Sequence, residues 1–189
     1  MKTGINRAHP VNYERCGLKL LPVDCLTGKP APIEARNWNS NSYEFDPYHL
    51  KEGYGVGLIH TASETMALHI YDEANTEYLL GLAGLSLQKL KKHPSAVLIK
   101  SKDSDEFELI YKTPQGLTLP SCTIGTEHFG DYEARAEFKC AHSYSSLPGG
   151  CAGTNPLRWS GAGAWINLPA LPIPLSKLWI FELSTQNKL

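Results

Sequence analysis

The sequence predicts an α+β fold with a mixed or antiparallel sheet carrying helices, because strand-like runs are broken by only a few helical patterns. Alternation is the first sign. In Thr65-Met66-Ala67-Leu68-His69-Ile70-Tyr71 the apolar Met66, Leu68 and Ile70 face a core while His69 and Tyr71 point the other way. A second sign is a long hairpin, Ala96 to Ser101 and Phe107 to Lys112 around the acidic turn Lys102-Asp103-Ser104-Asp105-Glu106. The third is one sustained helical pattern, Glu73 to Lys92, with Leu79, Leu80, Leu82, Leu85, Leu87 and Leu90 on its apolar face and Gly81 and Gly84 loosening its middle.

In chain order, Pro10 to Leu18 reads as a short helix, Leu18 to Val23 as a strand, and Asp24 to Pro32 as a Gly/Pro loop. Arg36 to Tyr54, with its Asn and Ser clusters, Pro47 and Gly53, reads as loop with one short helical segment. Strands follow at Val56 to His60 and Thr65 to Tyr71, then the helix and hairpin above. Later strands fall at Leu117 to Thr123, Asp131 to Ala136 and Phe138 to His142. From Ser143 to Pro174 the Gly- and Pro-rich chain reads as ordered loop anchored by Trp159 and Trp165, and Ser184 to Lys188 as a polar tail.

With 189 residues, 42% apolar and 20% charged, the chain can bury one core. A single domain is expected, with an N-terminal lobe over about residues 1–64 and a second lobe over about 65–180. No apolar run is long enough to span a bilayer, and Lys2, Asn6, Arg7 and His9 do not read as a signal peptide, so a cytoplasmic protein is expected. Cys16, Cys25, Cys122, Cys140 and Cys151 lack C-x-x-C spacing and are expected to be mostly free thiols. Net charge of -1 excludes a strongly basic nucleic-acid binder, though not a local patch; the dense run Lys89, Lys91, Lys92, His93 reads as a helix end.

A series of short blocks carries a resemblance. Leu18-Lys19-Leu20-Leu21-Pro22-Val23 with Gly28-Lys29-Pro30, Gly55-Val56-Gly57-Leu58-Ile59, the Met66 to Asp72 strand and the Val97 to Lys112 hairpin come first. Tyr132-Glu133-Ala134-Arg135, Ser143 to Gly150, Leu157-Arg158-Trp159, Asn167 to Pro172 and Leu178-Trp179 follow. In this order they resemble the N-terminal primase/polymerase domain of bifunctional phage and plasmid replication proteins, in the archaeo-eukaryotic primase superfamily. The resemblance implies the primase/polymerase-type fold and DNA replication.

It also implies a site of paired acids on one strand, "L-V-V-x-D-x-D", and a third acid in an "F-E-L-R" strand, which hold two Mg²⁺ or Mn²⁺ ions for nucleotidyl transfer. Here the paired positions carry His69 and Tyr71, while Glu133 keeps the third position with Arg135 beside it. Asp72 stands just beyond the strand, where it also suits a helix N-terminus. Glu108 replaces the family's phosphate-binding histidine, the "S-G-G" turn is replaced by Lys102 to Glu106, and the "P-P-S-x-H" block keeps Ser145 but has Leu147 for its histidine. Lys29 remains in the Gly-Lys-Pro turn.

Expected, then, is a degenerate primase/polymerase-like domain that binds single-stranded DNA or replication proteins, with no cofactor and no metal. Its candidate catalytic positions are His69, Tyr71, Glu133 and Asp72, its nucleotide-binding positions Glu108, Arg135, Ser145 and Lys29, and His69, Tyr71 and Glu133 are expected to share one cleft. The alternatives are an active primase/polymerase using Mg²⁺ or Mn²⁺ and a protein-interaction module without nucleic-acid binding. Further readings are zinc held among Cys122, His128, Cys140, His142 and Cys151, a thiol hydrolase built on Cys151 with His142 or His128, and stacking of single strands on Tyr43, Phe45, Tyr48 and Tyr54 beside Arg36.

Overall fold

A computed structural model describes residues 10–32, 35–40, 43–46, 50–128, 131–149 and 157–186. The alternating strands pair antiparallel into two sheets. The smaller joins β1 (Leu20–Asp24), β2 (Tyr54–Ile59) and β8 (Tyr144–Ser146) in the order β1-β2-β8, so its third strand comes from far along the chain. Gly57 permits the close pairing of these strands: a Cβ there would lie 3.0 Å from both Tyr144 Cδ2 and Val23 Cγ1. The larger sheet has six strands in the order β6-β7-β3-β5-β4-β9, with β3 (Thr65–Ile70) flanked by β5 (Phe107–Lys112) and β7 (Asp131–Lys139). β4 (Leu98–Lys100), β6 (Cys122–His128) and β9 (Arg158–Ser160) complete it.

β3 alternates as its sequence requires. Met66, Leu68 and Ile70 join Leu109 and Phe138 under the helices α2 (Glu73–Leu82), α3 (Leu87–Lys92) and α4 (Ile173–Gln186), which supply Leu80, Leu87, Leu175 and Trp179. Phe138 and Trp179 stack at 5.1 Å, and both are almost fully buried. On the opposite face Ala67 and Ile110 pack with Leu20, Val56 and Leu58 of the small sheet and with Tyr13 of α1 (Pro10–Arg15). The large sheet is therefore sandwiched between helices and the small sheet. Apolar packing of this second face ends beyond Ala67, and the polar His69 opens a cleft between the sheets.

Several expectations need correction. The single helix over Glu73 to Lys92 is two, because Gly84 takes a φ of +71° and Ser86 starts α3 by accepting from the Lys89 N–H at 3.3 Å. Glu73 and Gln88 bond across the break, as do Glu73 and Lys91. Asp131 to Ala136 and Phe138 to His142 are one strand, and the run expected from Leu117 starts at Cys122. The supposed loop after Ser143 contains β8 and β9 and runs into α4, which holds most of the supposed polar tail. Among the described cysteines, Cys16, Cys122 and Cys140 are free, but Cys25 is disulfide-bonded. Among the described residues no helix is long and apolar enough to cross a membrane.

Candidate functional site

Register brings the polar residues together. On β3, His69 lies opposite Glu108 of β5 on one side and Glu137 of β7 on the other. His69 Nδ1 lies 2.8 Å from Glu108 Oε1 and its Nε2 3.3 Å from Glu106 Oε2. Lys139 Nζ donates to the same Glu108 Oε1 at 2.7 Å and stands 3.0 Å from His69 Nδ1. That ring nitrogen can donate to Glu108 or accept from Lys139, not both at once. Tyr71 tilts against the His69 ring at 4.4 Å and donates its hydroxyl to Glu137 Oε2 at 2.7 Å.

The cleft holds about 620 Å³ and is roofed by the turn after β1, Asp24 to Gly28. Asp24 Oδ1 shapes this turn by accepting from the backbone N–H groups of Leu26 and Thr27, both at 2.9 Å, and these bonds hold its carboxyl below the usual range. Tyr144 reaches over from β8 and donates to the Gly28 carbonyl at 2.9 Å. Val23, Leu26, Ile99, Phe107 and Leu157 supply the apolar part of the lining.

Burial pushes the Glu108 carboxyl up, but the Lys139 charge and the His69 contact outweigh it and hold the group ionised far below the usual carboxylate range. Burial likewise lowers the Lys139 ammonium, and Glu108 more than reverses this, leaving it raised. The Tyr71 phenol is pushed up by burial and then by Glu137. One atom in the network is left over: Glu108 Oε2 is buried with no hydrogen-bond partner among the described residues.

Of the residues picked out from sequence, His69 and Glu108 line the cleft, while Tyr71 sits beside it, 38% exposed. Glu133 does not join them. Ile124 and Gly125 of β6 pair with Ala136 and Ala134 of β7, so Arg135 is an extra residue and the strand's alternation shifts beyond it. Glu133 instead accepts from Arg135, whose other nitrogen donates to Asp72 at 3.1 Å. Asp72 is a helix cap that accepts from the Asn75 N–H at 3.0 Å. Arg135 is thus tied to helix and strand, with its Nε buried and without a partner among the described residues.

Ser145, expected near phosphates, is buried against His60, 2.8 Å from Nε2. Lys29 is exposed behind the turn and does not line the cleft. Of the five soft ligands, only Cys122, Cys140 and His142 have described side chains. Cys122 and Cys140 are core thiols raised by burial, Cys122 up to about 12, and His142 sits at a left-handed φ of 54°. Cys151 and the His128 side chain lie outside the described residues, as does Tyr48. Among the described residues, no three His, Cys, Asp or Glu side chains are grouped to hold a metal ion.

Glu137 and Lys139 were missed from sequence, and Glu106 was read only as part of the acidic turn Lys102 to Glu106. Glu137 and Lys139 share a face only if Asp131 to Lys139 is read as one strand, and that continuity was the available signal. No protein-family model matches the chain, and no curated protein is found as its relative.

Proposed function

We propose that this chain is a primase/polymerase-like domain of a mobile-element replication protein whose cleft binds a partner and does not polymerise nucleotides. The observation that carries this is Lys139, whose ammonium donates to Glu108 Oε1 and stands 3.0 Å from His69 Nδ1. Two-metal transfer needs several hard oxygen ligands converging on a pair of cations. The ligands present do not fit it: the two His69 nitrogens point to different carboxylates, an internal ammonium takes the point shared with Glu108, and Glu133 is engaged with Arg135 elsewhere. A triphosphate would also meet Glu106 and Glu108.

The lining favours a protein over single-stranded DNA, since Asp24, Glu106 and Glu108 face one ammonium and one imidazole. A cytoplasmic location fits a replication role, whereas the Cys25 disulfide fits an oxidising compartment or a bond that forms transiently. The test is primer synthesis and extension by purified protein with Mg²⁺ or Mn²⁺. No product is expected; synthesis abolished by Glu108→Gln would overturn the reading.

A further inference from the structure

We infer that the cleft receives a basic side chain of a partner protein, a lysine ammonium or an arginine guanidinium carried on its aliphatic stem. This rests on the partner-binding reading above and names the chemistry of that partner. Glu108 is only 7% exposed, and its Oε1 takes both Lys139 and His69 while Oε2 takes no donor among the described residues. A buried carboxylate oxygen left without a donor is costly, and such orphans call for a missing group. Glu108 lines the cleft, and although Oε2 itself is closed to solvent, a turn of the carboxylate toward the cleft brings it to a donor entering there.

Charge selects the sign of that donor. Asp24, Glu106 and Glu108 outnumber the Lys139 ammonium, so the cleft accommodates a second cation and repels an anion. Asp24 Oδ1 is used by its own turn and contributes charge, while Glu106, with half its side chain exposed and only a 3.3 Å contact to His69 Nε2, can turn toward a ligand at the mouth. The apolar wall of Val23, Leu26, Ile99, Phe107 and Leu157 suits the methylene stem of a lysine or arginine, which buries its carbons and leaves its head on the carboxylates.

The test is fluorescence anisotropy with labelled tetralysine and tetraarginine, against tetraglutamate and oligothymidylate, on the intact chain. Expected is binding of the basic peptides alone, weakened by salt. Glu106→Gln weakens it about threefold, as for a half-exposed ion pair. Glu108→Gln weakens it about tenfold or more, as for a buried charged hydrogen bond. Glu133→Gln, outside the cleft, leaves it unchanged. Thermal melts check that each variant folds, and Glu106→Gln, on an exposed group, keeps the test decisive if Glu108→Gln does not. Basic peptides that fail to bind, that bind equally to Glu106→Gln and Glu133→Gln, or that are displaced by oligothymidylate overturn the inference. Primer synthesis is read separately, so failure of peptide binding leaves the non-polymerising reading standing and the reverse also holds.

Discussion

At the scale of single residues, the pair Glu108 and Lys139 is the most consequential contact in the cleft, since each is largely buried and each stabilises the other's charge. Removing one partner of such a pair costs about 3–5 kcal/mol, whereas replacing both by apolar groups is often neutral. Lys139→Met is therefore expected to lower stability by several kcal/mol in urea unfolding, and adding Glu108→Leu to recover most of it. A double variant as unstable as the single one would show that the ammonium is not what Glu108 needs. His69 was legible from sequence because β3 alternates cleanly, and its neighbours Met66, Leu68 and Ile70 are all fully buried on the other face. Lys139 was not, because a strand that passes through a bulge looks like two short strands in the pattern.

Elements were legible where one period dominates. β3 and β5 carry it, and so does the helical leucine pattern, although that pattern gives no sign that Ser86 restarts the helix. The Ser86 hydroxyl accepts from Lys89 N–H and donates to Glu77 Oε1 at 2.8 Å, linking α3 back to α2. Loss of an N-cap costs about 1 kcal/mol. Ser86→Ala should lower the unfolding free energy by roughly that amount, and Ser86→Thr should restore part of it; an unchanged Ala variant would mean that packing of Leu87 alone fixes the break. α4 escaped for a different reason. Its sequence is apolar on all sides, with Leu175 and Trp179 buried but Ile173, Ile180 and Phe181 exposed, so no stripe marks which face meets the sheet.

Across the whole molecule, the two sheets meet through a buried histidine that no pattern singles out. His60 follows β2 in the small sheet, and its Nδ1 lies 3.0 Å from Thr65 Oγ1 of β3 while its Nε2 lies 2.8 Å from Ser145 Oγ of β8. Burial lowers its pKa to about 4, with Glu108 opposing and Lys139 assisting. A histidine whose folded pKa is depressed stays neutral in the fold while the unfolded chain takes up a proton. Above its ordinary value of 6.5 it therefore adds no pH dependence, and between 6.5 and about 4 each fall in pH favours the unfolded chain. The total loss is roughly 3 kcal/mol at 1.36 kcal/mol per pKa unit. Glu108, also depressed, carries a stabilisation present above 4.5 that is lost on further acidification. Urea unfolding from pH 7.5 to 4.5 should thus show stability falling steadily below pH 6.5, and His60→Gln should flatten that slope even if it lowers stability overall. A wild-type curve that is flat or rising on acidification across this window would mean that His60 is charged in the fold, and that the sheets are joined by an ion and not by a neutral hydrogen-bonded ring.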